Sequence, residues 1–149
     1  PSVDISNAWR ARWMGLVAST AFQNNPAIQP RAFVALGCLA REEVDDDLLY
    51  QILVALKRAL NSFSENDCSL IISIIMCLTK IVENLDPESR YLKYMFWLSM
   101  SLIQIGHIPI FPSAVNFLQV VLRSYDMNNF FATEDIATVL LRTREKLAS

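Results

Sequence analysis

The chain has 149 residues, 53% hydrophobic and 19% charged, with a net charge of −2. Globular domains average about 25% charged, so this chain can bury a large core and further surface against a neighbour. There is no basic excess to attract a phosphate backbone, which excludes nucleic acid as the main partner. Three glycines and six prolines disfavour a turn-rich all-β fold.

The first predicted helix covers residues 8–22, capped by Ser6 or Asn7. Trp9, Trp13, Leu16, Val17 and Thr20 recur at steps of three and four, the spacing of a helix face turned to a core. Asn24-Asn25-Pro26 stops it. A second helix over residues 30–40 starts on Pro30, whose missing N–H is no loss in a first turn. It offers Phe33, Val34, Leu36 and Leu39 for burial. Gly37 costs about 1 kcal/mol of helix propensity relative to Ala; close packing against another helix is a reason to tolerate it.

Asp45-Asp46-Asp47 suits the start of a third helix, residues 46–61, because the helix dipole favours acids there. Leu49, Ile52, Leu53, Leu56, Ala59 and Leu60 face inward, Lys57 and Arg58 outward. Ser64-Glu65-Asn66-Asp67 opens a fourth, to residue 84, apolar nearly all round and therefore covered on several sides. Asp86-Pro87-Glu88 signals a fifth, rich in aromatic residues (Tyr91, Tyr94, Phe96, Trp97) and ended by Gly106 and His107. Phe111-Pro112-Ser113 starts a sixth, to about residue 126, burying Val115, Phe117, Leu118, Val121 and Leu122. Thr133 caps a seventh over residues 134–147, with Ile136, Val139, Leu140 and Leu147 as its stripe.

This is an all-α chain of about seven helices. Helix starts near Pro30, Glu65 and Pro112 recur every 35–47 residues, the period of two-helix HEAT or armadillo units. The expected architecture is stacked antiparallel hairpins, a HEAT/armadillo-like α-solenoid fragment spanning residues 1–149 as a single helical-repeat segment; a globular seven-helix bundle competes. The start at Pro1-Ser2-Val3-Asp4 is neither a signal peptide nor an initiator methionine and reads as a piece of a longer protein or a processed product. The apolar runs at residues 70–82 and 94–105 fall short of the roughly 20 residues needed to span a bilayer. No transmembrane segment is expected.

Cys38, Cys68 and Cys77 lie in apolar helical stretches without C-x-x-C spacing, and read as buried, reduced, intracellular thiols. No metal site is expected: zinc needs more ligands than one histidine supplies, and residues 42–47 lack the alternation of a calcium loop. No cofactor is implied, since no Gly-rich phosphate loop exists. His107 suits a helix C-terminus.

Ala11-Arg12-Trp13, Ala21-Phe22-Gln23, Asn25-Pro26, Gln29-Pro30-Arg31-Ala32 and Gly37-Cys38 together resemble the neurofibromin family. These are large Ras GTPase-activating proteins that include the yeast inhibitors of Ras–cyclic AMP signalling. Ala55-Leu56, Leu78-Thr79-Lys80 and Phe96-Trp97 fit the same region. The clear match covers about the first 40 residues, and weaker similarity reaches about residue 125. The resemblance implies part of the long helical array downstream of the GTPase-activating and lipid-binding modules, in a cytoplasmic negative regulator of Ras. That regulator meets Ras, and the membrane periphery, through other parts of its chain.

A Ras-activating site needs an arginine finger and a stabilising helix motif. Val121-Leu122-Arg123 and Leu140-Leu141-Arg142 do not continue that way, so no catalytic residue is assigned. The leading expectation is a non-catalytic scaffold serving protein partners or other segments of its own chain, with self-association through open array ends. One alternative is a compact bundle that itself binds or stimulates a small GTPase, motivated by Arg12, Arg31, Arg123 and Arg142. Another is a membrane-associated helical protein, motivated by the mean hydropathy of +0.29. Trp13, Asn25, Gln29 and Arg31 are the candidate partner or inter-repeat contacts; holding the turn is the competing role for the three polar ones, and a place in the core for Trp13.

Overall fold

Six α-helices carry the computed structural model, which describes residues 2–23, 25–40, 44–63, 67–85, 89–127 and 141. They are α1 (Ser2–Ala21), α2 (Gln29–Ala40), α3 (Asp46–Asn61), α4 (Ser69–Val82), α5 (Arg90–Gln104) and α6 (Phe111–Met127). The all-α class read from the periodicity is the observed one. The predicted seventh helix, with Ile136, Val139, Leu140 and Leu147, lies outside the described residues; Leu141 alone is described there, helical and exposed.

The chain divides into two compact units, Pro1–Ile81 and Val82–Ser149. In the first, α1 and α2 pack as a hairpin. The core collects Phe33 and Leu36 of α2, Leu49, Ile52 and Leu56 of α3, and Ile74, Ile75 and Leu78 of α4. Asp45 accepts from the Leu48 amide at 2.7 Å, pairing one of the amides that a helix start leaves over. Nearly every position of α4 is covered; Ser69, Met76 and Lys80 are its exposed residues. In the second unit α5 packs on α6. Leu92, Met95, Phe96 and Leu102 meet Ala114, Phe117, Val121 and Tyr125 in its interior. The Ser124 hydroxyl donates to the Val82 carbonyl at 3.3 Å.

Several boundaries differ from the sequence reading. The first helix begins at Ser2, so Ser6 and Asn7 sit inside it instead of capping it. The fourth begins at Ser69, after Asp67 accepts from the Ser69 amide at 3.1 Å and its hydroxyl at 2.7 Å. Those bonds hold the Asp67 carboxyl below the usual carboxylate range. Ser89 caps the fifth through the Tyr91 amide at 3.2 Å; Asp86-Pro87-Glu88 lies outside the described residues. Gly106 ends that helix region with φ +71°, a left-handed conformation that suits glycine because it has no Cβ.

The largest correction concerns α1. Trp9 and Trp13 are each 56% exposed and Leu16 is exposed beside them. Among the described side chains of that helix, those of residues 8–21, only Ala21 is fully buried; Val17 and Thr20 are half-buried. Periodicity identifies an apolar face, but does not supply the element that covers it. Trp97 is half-buried on α5. Val34 and Leu122, also assigned to the core, are exposed. We expect Trp13→Ala to cost under about 1 kcal/mol, where a core tryptophan would cost about 3–5. Urea denaturation of the two chains measures it, and a core-sized loss would contradict the exposed position.

The cysteines also split. All three are free, but Cys38 is exposed while Cys68 and Cys77 are buried. Burial pushes the Cys77 thiol from 9.0 up to about 12, with nearby Cys38 adding to the rise. The folded chain therefore keeps a proton that the unfolded chain has lost between those pH values. Its contribution is complete below pH 9.0 and is lost as pH rises towards 12. The slope is about 1.4 kcal/mol per pH unit from this group. Stability against urea should fall between pH 9 and 10.5, and fall less in Cys77→Ala. Identical profiles for the two chains would remove Cys77 as the cause.

Candidate functional site

The turn between α1 and α2 brings three of the four candidate residues together. The Asn25 side-chain oxygen accepts from the Ala27 amide at 3.1 Å, a local bond that lets asparagine stand in for backbone in a turn. Its carbonyl accepts from the amides of Ile28 at 3.1 Å and Gln29 at 3.0 Å. Gln29 Nε2 donates to the Ala21 carbonyl at 3.1 Å, pairing one of the carbonyls left over where α1 ends. Arg31 is exposed on the first turn of α2. Asn25 and Gln29 thus hold the turn. Trp13 stands apart from it, roughly 12 Å before Ala21 at 1.5 Å per residue.

Gln29 also lines a groove of about 670 Å³ in the first unit. This falls within the range of ligand-sized clefts, about 300–1,000 Å³. Phe33 and Ile74 form its fully buried floor, and Tyr50, Gln51 and Arg58 of α3 form an exposed rim. Phe22 meets Phe33 edge-on with ring centres 5.8 Å apart, so the hairpin turn and the groove wall are one packed unit. The lining combines apolar side chains with amides, hydroxyls and one guanidinium. Such a surface can seat an apolar side chain and pair a carboxylate, since arginine offers several fixed donors. Among the described residues no three His, Cys, Asp or Glu side chains gather as metal ligands.

The rim was not singled out in the sequence. Tyr50, Val54 and Arg58 recur at steps of four on α3, and this second helix face was the available signal. It was masked by the stronger stripe through Leu49, Ile52 and Leu56. No helix among the described residues is long and apolar enough to cross a membrane, in line with the short apolar runs.

No family model matches the chain. It is 26% identical over 127 residues, 84% of its length, to the inhibitory regulator protein IRA2 of Saccharomyces cerevisiae. It is 24% identical over 119 residues, 78% of its length, to the inhibitory regulator protein IRA1 of the same yeast. The chain spans about 4% of the length of each of these relatives. Both alignments extend well past the 40 residues that carry the opening motifs and run through most of the helices described above. The chain is thus similar over most of its length to these two yeast inhibitory regulators, which supports the resemblance to the neurofibromin family carried by its opening motifs.

Proposed function

We propose that this chain is a non-catalytic, HEAT/armadillo-like scaffold segment of a cytoplasmic Ras GTPase-activating protein. It is a single helical-repeat segment of a longer regulator that restrains Ras signalling, and it works by contact with other segments of its own chain or with protein partners. The observation that carries the reading is the outer face of α1, where Trp9, Trp13 and Leu16 form an exposed apolar stripe. Stacked repeats bury such faces against the next repeat, and tryptophan is enriched where partners anchor. Asn25, Gln29 and Arg31 lie at the α1–α2 turn, further along the chain from that face, and the groove rimmed by Tyr50 and Arg58 offers a second contact.

Two measurements test it. Light scattering across a wide concentration range should show mass rising above 16.9 kDa as α1 faces pair, and Trp13→Glu should return the chain to monomer. A single-turnover assay with Ras loaded with GTP should show no stimulation at high concentrations of the chain. A persistent monomer would count against an open array face. Stimulated hydrolysis would support the competing reading, a helical bundle that itself acts on a small GTPase.

A further inference from the structure

The most exposed large apolar side chain of the described residues is not on α1. It is Ile108, 83% exposed, in the turn between α5 and α6. Ile105 and Phe111 are exposed on either side of it, and so are Pro109 and Pro112. Ile110 is fully buried under them, and the Ile110 and Phe111 amides donate to the His107 carbonyl at 3.0 and 3.1 Å. The turn is therefore built on its own hydrogen bonds and presents its apolar side chains outward from the end of a packed helical hairpin.

Charge sets this end of the unit apart. The sequence has no Asp, Glu, Lys or Arg between Lys93 and Arg123. Within that interval the exposed helix positions beyond Phe111 and Pro112 of the turn are the uncharged polar Ser101, Gln104, Asn116 and Gln119, with Leu122 beside Arg123. The first formal charge on each leg is cationic, and each lies roughly 17 Å from the turn at 1.5 Å per residue. An apolar tip, a polar uncharged shoulder and a basic collar follow the layering of a bilayer surface. Apolar side chains favour the acyl boundary, amides and hydroxyls the headgroup zone, and cations the anionic phosphates beyond.

We infer that the α5–α6 turn is a membrane-contacting tip, with Ile105, Ile108 and Phe111 entering one leaflet of an anionic phospholipid bilayer and the exposed Arg123 facing its headgroups. The contact is shallow and does not cross the membrane. It is independent of the scaffold role, which rests on α1 in the other unit.

Sedimentation of the full 149-residue chain with phosphatidylcholine vesicles containing one quarter phosphatidylserine tests it. The chain should pellet with the vesicles, and less with pure phosphatidylcholine. Ile108→Asp should lower the bound-to-free ratio at least tenfold, with the helical circular dichroism unchanged because the side chain packs on almost nothing. Ile108→Leu should keep binding, and Arg123→Gln should narrow the difference between the two vesicle types. No pelleting would overturn the inference. So would pelleting that survives Ile108→Asp but is lost in Trp13→Glu, which would place the lipid contact on α1. A concentration-dependent mass that Ile108→Asp abolishes, with no vesicle binding, would overturn it in favour of a contact between copies.

Discussion

Gly37→Leu should destabilise the chain by about 3 kcal/mol, although leucine is the better helix former by about 1 kcal/mol. A Cβ at Gly37 would lie 2.9 Å from the Cα of Cys77 and 3.4 Å from its carbonyl oxygen. Those are backbone atoms of α4, a helix buried on most sides, so they cannot swing away as a side-chain end can. The α2–α4 approach must open, and dispersion contacts are lost along the seam as it does. Gly37→Ala should show the same sign with a smaller loss, because its single methyl meets the same backbone. The midpoints of urea denaturation for the three chains measure this. A Gly37→Ala chain more stable than the parent would mean that helix propensity outweighs the contact, and the close approach would lose its importance.

Phe33→Ala should cost about 3–5 kcal/mol. Its ring is fully buried, stacks edge-on against Phe22 and floors the groove beside Tyr50 and Arg58. Removing it takes away the apolar transfer energy, the aromatic contact and the support of the α1–α2 turn together. The loss should exceed that of Trp13→Ala severalfold, even though tryptophan is the larger residue. Equal losses at the two positions would mean that size, and not burial, decides stability here. Paired denaturation curves give the comparison directly.

The ordering of Phe33 over Trp13 shows where sequence reading succeeds and where it stops. Both residues lie on an apolar stripe at helical spacing, which reads as core for Phe33 and as either core or partner contact for Trp13. α2 has its stripe beneath other helices, whereas the α1 stripe has no cover among the described residues. Cys38 and Cys77 make the same point: both fall in apolar helical stretches, yet one is exposed and the other buried. A helix period repeats every 3.6 residues whatever lies against it, so it fixes a face and not a neighbour.

Local signals fared according to their range. The Asp45 cap, the Gly106 stop and the start at Phe111 depend on a few adjacent backbone groups, and each lies where the residues place it. The starts of α1 and α4 missed by several residues, because more than one Ser, Asn or Asp nearby can cap and the chain alone does not rank them. The turn residues Asn25 and Gln29 were legible as a cluster, while the specific bond from Gln29 back to Ala21 needed the hairpin to close. The groove rim at Tyr50 and Arg58 was not legible, since α2, α3 and α4 must meet before a groove exists.

By itself the sequence determined an all-helical chain, the positions of most of its turns, and its resemblance to the neurofibromin family. Helix periodicity, capping and turn chemistry are local and written in neighbouring residues. Tertiary structure alone decided which apolar faces are covered, that Gly37 is pressed against Cys77, and that Ile108 stands clear of the core at the end of a hairpin. Burial is a property of pairs of surfaces distant in sequence, and one chain segment read alone carries only its own half of each pair.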